Sequence, residues 1–113
     1  MDGTAFASEW QSAWNAHNLD RILAHYTDDV VFRSRKAIAL TGSGEIRGKP
    51  ALRAYWAAAL AAQPDLQFRI EQVLLGHDAL VILYLNHRDV RAAETLWFDP
   101  SGLVSRASAC HAS

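Results

Sequence analysis

The sequence predicts an α+β domain in which helices come first and a run of strands follows. Apolar residues recur every three or four positions in residues 6–26 and 50–63, which is typical of one face of a helix. From residue 66 onward, strand-like segments are separated by short turn signals such as residues 76–78 and 99–102. The predicted order is α-α-β-α-β-β-β-β, and the short connections indicate antiparallel pairing with helices on one face of the sheet.

Three helices are predicted from their apolar stripes. The first is capped by Asp2 or Thr4 and carries its stripe on Phe6, Trp10, Ala13, Trp14 and His17. The second begins at Asn18 as N-cap and carries Leu19, Ile22, Leu23 and Tyr26. Pro50 suits the first turn of the third, whose stripe is Leu52, Tyr55, Trp56, Ala59, Leu60 and Gln63.

Strands are predicted where the period changes to two. Val30, Phe32 and Ser34 share one face of the first strand, and the glycine-rich residues 41–48 are predicted to be a loop. In the next strand one face carries Leu66, Phe68, Ile70, Gln72 and Leu74. Residues 79–87, 91–98 and 103–111 form the remaining strands, and Ala92, Glu94, Leu96 and Phe98 share a face.

Composition favours one domain over residues 1–113 that is soluble and cytoplasmic. The net charge is −1, so we expect no nucleic-acid partner. The longest apolar run, residues 79–85, is too short to cross a membrane, and the first residues do not resemble a secretory signal. Cys110 is the single cysteine, which fits a reducing compartment.

Neither metal nor cofactor binding is predicted. The five histidines, His17, His25, His77, His87 and His111, do not have the spacing of a zinc-binding motif. The adjacent acids Asp28 and Asp29 precede a strand, and they are interpreted as turn residues because aspartate bonds its own backbone there.

Several segments resemble the NTF2-like superfamily, in particular its SnoaL-like and ketosteroid-isomerase-like bacterial branch. They are SEWQSAWNAHNLDRILAHYTDDVVF, IRGKPALRAYWAAAL and ETLWFDPSGLVSRASA, which together with the strands span nearly the whole chain. The resemblance implies a cone-shaped barrel, with a curved antiparallel sheet wrapped around three N-terminal helices, an apolar pocket and a homodimer. It does not imply one reaction, since the superfamily includes isomerases, cyclases, dehydratases, epoxide hydrolases and non-enzymatic domains.

The resemblance also allows the steroid isomerase site to be tested. That pattern has a tyrosine donor on the first helix, an aspartate base on the first strand and a protonated aspartate on a later strand. The matching positions here hold Trp10, Ser34 and Glu94. An indole cannot accept a proton, and a serine without a neighbouring base is no proton acceptor. The same steroid isomerisation is therefore not expected.

Glu94 is the catalytic candidate that remains. A carboxyl on an apolar cavity wall has a raised pKa and can act as acid or base. The alternative is an ion pair with Arg91 or Arg106, or contact with water at an edge. His111 could reach the pocket mouth, whereas Arg33 and Arg35 have the opposite parity and are expected to face away.

The other pocket candidates are apolar-face residues, for which pocket lining and plain core packing both remain open. They are Trp10, Trp14, Tyr26, Phe32, Tyr55, Trp56, Leu96 and Phe98, together with the polar Ser34. An aromatic pocket favours a small apolar ligand. Three functions follow: an isomerase, cyclase or dehydratase that transfers protons, a non-catalytic ligand-binding domain, or a dimeric interaction module with a collapsed pocket.

Overall fold

A computed structural model describes residues 2–113. Its helices are Gly3–Asn15 (α1), Leu19–Leu23 (α2), Ala37–Thr41 (α3) and Lys49–Ala62 (α4). Its strands are Tyr26–Ser34 (β1), Glu45–Arg47 (β2), Arg69–Gly76 (β3), Ala79–Leu85 (β4), Arg91–Phe98 (β5) and Val104–His111 (β6). Helices followed by a curved sheet confirm the α+β class.

The first two helices begin at the caps that their sequences supply. The Asp2 carboxylate accepts hydrogen bonds from the backbone N–H groups of Thr4 and Ala5, at 3.0 and 3.1 Å. The Asn18 side chain accepts from the Arg21 N–H at 3.1 Å. These bonds satisfy N–H groups that have no partner inside a helix. The Asn18 cap lies at the corner between α1 and α2.

The sheet has the order β2-β1-β6-β5-β4-β3. Its pairs are antiparallel except β1 with β6, which run parallel. The prediction of antiparallel pairing throughout was wrong for that pair. The length of a turn indicates the relative direction only of strands that are consecutive in the chain. Because β1 and β6 are far apart in the sequence, no turn length indicated that they run parallel.

Residues 37–48 hold a helix and a strand that the prediction lacked. Within the stretch predicted as a loop, β2 pairs with β1 and places Ile46 opposite Phe32. A strand of three residues is too short to show the alternation of apolar and polar residues that predicts a strand. The segment was therefore predicted as a loop from its glycines. Tyr26 was also misplaced, since it begins β1 and pairs with Val104 instead of extending α2.

A bulge in β3 changes which side chains face the core. The register shifts between Ile70 and Gln72. Because one extra residue reverses the alternation, Val73 packs against the core while Leu74 is 44% exposed. The prediction that Gln72 and Leu74 share a face with Ile70 was therefore wrong.

The inner face of the sheet packs against α1 and α4. The side chains of β4 and β5 alternate between buried and partly exposed, so every second residue faces the helices. Trp14 of α1 meets Trp56 of α4 edge-on, with ring centroids 5.0 Å apart. Trp10 stacks on Phe68 at 5.4 Å. Within residues 2–113 no helix is long and apolar enough to cross a membrane.

Candidate functional site

A cavity of about 100 Å³ lies between the helices and the inner face of the sheet. It is lined by Trp10, Trp14, Phe32, Ser34, Tyr55, Trp56, Ala59, Leu66, Phe68, Tyr84, Glu94 and Ala109. Its more polar residues include Lys36, Gln63, Asn86 and His111. Seven of the sixteen lining residues are thus Trp, Phe or Tyr, and few lining groups are ionisable.

Seven of the predicted site residues line this cavity: Trp10, Trp14, Phe32, Ser34, Tyr55, Trp56 and Glu94. Three others, Tyr26, Leu96 and Phe98, are buried in the core outside the lining. Tyr26 packs edge-on against Trp56 at 5.3 Å, and Phe98 packs against Phe6 at 5.1 Å. Inward strand parity placed Leu96 and Phe98 correctly in the interior, and Tyr26 is also buried there although it was assigned to a helix. Neither pattern tells which interior residues line the cavity.

Glu94 and Ser34 flank one small residue in the sheet. Ala109 of β6 pairs with Ser34 of β1 on one side and with Glu94 of β5 on the other. Adjacent strands lie about 4.8 Å apart, so the two polar side chains stand roughly 10 Å apart along one row. The methyl group of Ala109 leaves the space between them open, and this row forms part of the cavity wall.

Glu94 has an environment that favours its neutral form. Burial raises the pKa of Glu94 to about 8, and hydrogen bonding from Tyr84 opposes the rise. The expected alternative partners are engaged elsewhere. Arg91 Nε binds Glu71 at 3.0 Å, and the Arg106 guanidinium lies 5.0 Å from the Trp97 ring centroid. The carboxyl therefore faces the cavity without a compensating cation.

Tyr84 is a site residue that the sequence reasoning missed. It lies on β4, lines the cavity and hydrogen bonds to Glu94. Burial raises the pKa of Tyr84 far above its ordinary value, and the negative charge of Glu94 acts in the same direction. The phenol therefore stays protonated and acts as a donor. The sequence could have indicated Tyr84, because it is the one residue with a hydroxyl in an otherwise aliphatic strand and lies at an inward-facing position.

Three polar atoms near the cavity are buried without a hydrogen-bond partner. They are Nε1 of Trp10, Nε1 of Trp14 and the hydroxyl of Tyr26. Burial raises the pKa of Tyr26 well above its ordinary value, and the charge of Glu94 adds to this. A buried donor without an acceptor carries a desolvation cost. Donors are thus in surplus around the cavity.

Ser34 is buried but is not arranged for catalysis. Its Oγ accepts the backbone N–H of Lys36 at 3.2 Å. The neighbouring phenol of Tyr55 has a pKa raised by burial, so it does not act as a base near neutral pH. The expectation that Ser34 is no proton acceptor fits this geometry.

The remaining predicted polar residues lie around or outside the cavity. His111 lines it, and burial lowers the pKa of His111 to about 4, with the charges of Lys36 and Arg35 adding to the effect. Arg33 is exposed and binds Glu45 at 2.9 Å. As predicted from parity, Arg33 and Arg35 are absent from the cavity lining. Instead they line a groove outside it, with the exposed Cys110.

The acid pair lies away from the cavity. Asp28 and Asp29 are exposed within β1, in the stretch where the pairing with β6 is irregular. They are therefore strand residues and not the turn that was predicted. Asp28 Oδ1 lies 3.9 Å from Lys49 Nζ. Within residues 2–113, no three His, Cys, Asp or Glu side chains are grouped so that they could hold a metal ion.

The sequence of residues 7–108 matches the SnoaL-like domain, so the chain belongs to the SnoaL-like family. Its fold is that of the NTF2-like proteins. A SnoaL-like protein of unknown function from Burkholderia thailandensis E264 is 38% identical and superposes with a TM-score of 0.94, over 98% of this chain and 94% of that one. No protein with a curated description matches the sequence.

Two more distant structures show the same fold. SalBIII, an epoxide hydrolase/cyclase-like enzyme with a role in pyran ring formation in the polyether salinomycin, is 14% identical with a TM-score of 0.77, over 96% of this chain and 88% of its own. TerC, co-crystallised with polyporic acid, is 11% identical with a TM-score of 0.79, over 96% and 90%. At such identities the similarity concerns the fold alone.

Proposed function

We propose that this chain is an enzyme that moves a proton next to the carbonyl group of a small apolar compound, with Glu94 as the acid and base. An isomerisation, a cyclisation or a dehydration each begins with such a step. Steroid isomerisation by the usual three-residue arrangement is not proposed, because Ser34 and Trp10 supply neither its base nor its phenol.

The observation that supports this proposal is a lone carboxyl on an aromatic cavity wall. Burial raises the pKa of Glu94 to about 8, so about a tenth of the molecules hold a carboxylate at pH 7. A group with a pKa near the working pH both takes and returns protons efficiently. The carboxylate would remove the proton from carbon, and the C–H electrons would move to the carbonyl oxygen as an enolate.

The cavity wall supports a carbonyl compound as the ligand. The rings of Trp14, Trp56 and Phe32 offer flat apolar contacts. The indole N–H groups of Trp10 and Trp14 are donors that have no hydrogen-bond partner in the wall. A carbonyl oxygen accepts such donors, and charge that develops on it is stabilised by them. The volume of about 100 Å³ favours a compound of about one ring.

Hydrogen–deuterium exchange at carbon tests the proposal without knowledge of the natural substrate. A panel of one-ring ketones and enones is incubated with the protein in D₂O, and loss of the α-proton signal is followed by NMR. We expect exchange to accelerate with the native protein and to increase as pH rises through about 8, because the carboxylate form of Glu94 is the base.

Two variants with the same chemical change define the outcome. Glu94→Gln removes the base and is expected to reduce exchange to the uncatalysed rate. Glu71→Gln changes an exposed carboxylate on β3 that binds Arg91, and exchange should persist. Exchange that survives Glu94→Gln would exclude Glu94 as the base.

A non-catalytic ligand-binding domain is the second candidate. It is favoured by the scarcity of ionisable partners, since Ser34 is bonded to a backbone N–H and the Tyr84 and Tyr26 phenols do not ionise. Under this reading, ligands that quench the cavity tryptophans would bind the native protein and Glu94→Gln equally, and no ketone would exchange.

A further inference from the structure

Lys36 is a cation without a partner at the cavity. It lies two residues beyond the end of β1, it is exposed, and it contributes to the cavity lining. None of the ion pairs formed within residues 2–113 involves Lys36 or the adjacent Arg35. Most other arginines of the chain do have a carboxylate partner, so these two charges stand out.

The positive charge extends over one side of the cavity mouth. The charges of Lys36 and Arg35 both lower the pKa of His111, which places them near this cavity residue. Arg35 also lines the adjacent outer groove with His111. Arg33 of the same groove is neutralised by Glu45, so the uncompensated charge belongs to Lys36 and Arg35.

The cavity lining holds no fixed negative charge to balance these cations. Glu94 is the single carboxyl among the lining residues, and burial keeps it largely protonated at pH 7. Gln63 and Asn86 add side-chain amides, whose N–H groups are donors. The site therefore combines an apolar aromatic interior with a cationic, donor-rich mouth.

We infer that the cavity selects a small amphipathic anion, a carboxylate on an apolar body of about one ring, whose anionic group binds Lys36 and Arg35 at the mouth. This inference names a substrate class for the proposed function and rests on its cavity. The ring would lie against the tryptophans and the carboxylate would stay near solvent. An anion near Glu94 instead would meet the buried carboxyl and would lack a cation.

Tryptophan fluorescence can test this inference, because Trp10, Trp14 and Trp56 line the cavity. The probes are cyclohexanecarboxylate and its neutral isostere cyclohexanecarboxamide, which do not absorb in the tryptophan band. We expect the carboxylate to bind more tightly than the amide at pH 7 by about twofold to fivefold, because a partly exposed ion pair is a modest interaction. Added salt should reduce this preference.

Variants of the two lysines locate the effect. Lys36→Gln is expected to reduce the preference for the carboxylate, and the double variant Arg35→Gln/Lys36→Gln is expected to weaken carboxylate binding to the level of the amide. Lys49→Gln changes the other lysine of the chain, which lies near Asp28 outside the cavity lining, and should preserve the preference.

Equal affinities for the two probes in the native protein, a preference that Lys36→Gln does not reduce, or a preference that persists in the double variant would overturn the inference. If neither probe bound to the native protein, the inference would be overturned as well. In each case the exchange experiment, which uses neutral ketones, still decides the proposed function separately.

Discussion

Two strands of the cavity wall each carry one buried polar side chain of the core, Ser34 on β1 and Glu94 on β5. Both are 5% exposed and both flank Ala109. Ser34 is bonded to the Lys36 N–H and has no charge to gain. Glu94 keeps an ionisable group, and burial raises its pKa to about 8. Equal burial thus gives one structural residue and one group that titrates near neutrality.

The difference shows what an apolar wall does to a polar residue. A hydroxyl is neutral at every relevant pH, so burial costs it only hydrogen bonds. A carboxyl can escape the cost of a buried charge by keeping its proton. The wall of β5 therefore stores a pH-dependent free energy that the wall of β1 does not.

The largest expected effect is on the pH dependence of stability. The folded pKa of Glu94 is raised above its ordinary value of 4.5, so the folded state keeps a proton that the unfolded state loses. The contribution is fully present below pH 4.5 and is lost as pH rises toward about 8. The difference between those values corresponds to roughly 5 kcal/mol in the free energy of unfolding.

Urea unfolding of the native protein and of Glu94→Gln, from pH 4 to pH 9, measures this effect. The difference between the two curves isolates Glu94 from the histidines, of which His111 has the opposite trend because its pKa is lowered. We expect Glu94→Gln to gain stability relative to the native protein as pH rises. A constant difference across the range would mean that Glu94 has an ordinary pKa.

A smaller effect is expected from the hydrogen bond of Tyr84. Tyr84→Phe removes the donor that lowers the pKa of Glu94, so that pKa should rise further, by about one pH unit. Carbon-13 NMR of the glutamate carboxyl groups measures the titration directly. Tyr26→Phe is the matched control, since the Tyr26 hydroxyl makes no hydrogen bond to Glu94, and it should shift the pKa less.

The smallest effect is expected at Ser34. Ser34→Ala removes one acceptor for a backbone N–H and should cost about 1 kcal/mol or less, independent of pH. The same unfolding series measures it, and α-proton exchange should be unchanged. A pH-dependent cost, or a loss of exchange comparable with that of Glu94→Gln, would show that the two walls do not differ in this way.

Much of the site could be predicted because the alternation of side chains along a strand determines which residues face the cavity. The period of two placed Glu94 and Ser34 on the inner face, and the helical stripes placed Trp10, Trp14 and Trp56 there. The residue types at these positions then indicated that Glu94, and not Ser34, can act as an acid or base. The resemblance to the NTF2-like superfamily supplied the hollow interior, which periodicity alone does not distinguish from a filled core.

Other parts depend on contacts that no local pattern encodes. The bulge at residues 70–72 reverses which side chains of β3 face the core beyond that point. Leu74 therefore faces outward, contrary to the predicted alternation. Lys36 was missed as a lining residue because it follows the end of β1, where alternation no longer applies. Tyr84 was missed because it lies within an apolar run of residues, and its hydrogen bond to Glu94 joins two different strands.

The parallel pairing of β1 with β6 has a consequence for how the chain reaches its native state. Phe32 pairs with Ala107, which is 75 residues further along the chain. Contacts between such distant segments slow folding, because a long loop must close before they form. The aromatic helices can collapse early, but Ala109 and His111 join the cavity only when β6 docks. Until then, the edge of β1 that β6 later covers is open to pairing with other chains, so a delay in the docking of β6 favours aggregation.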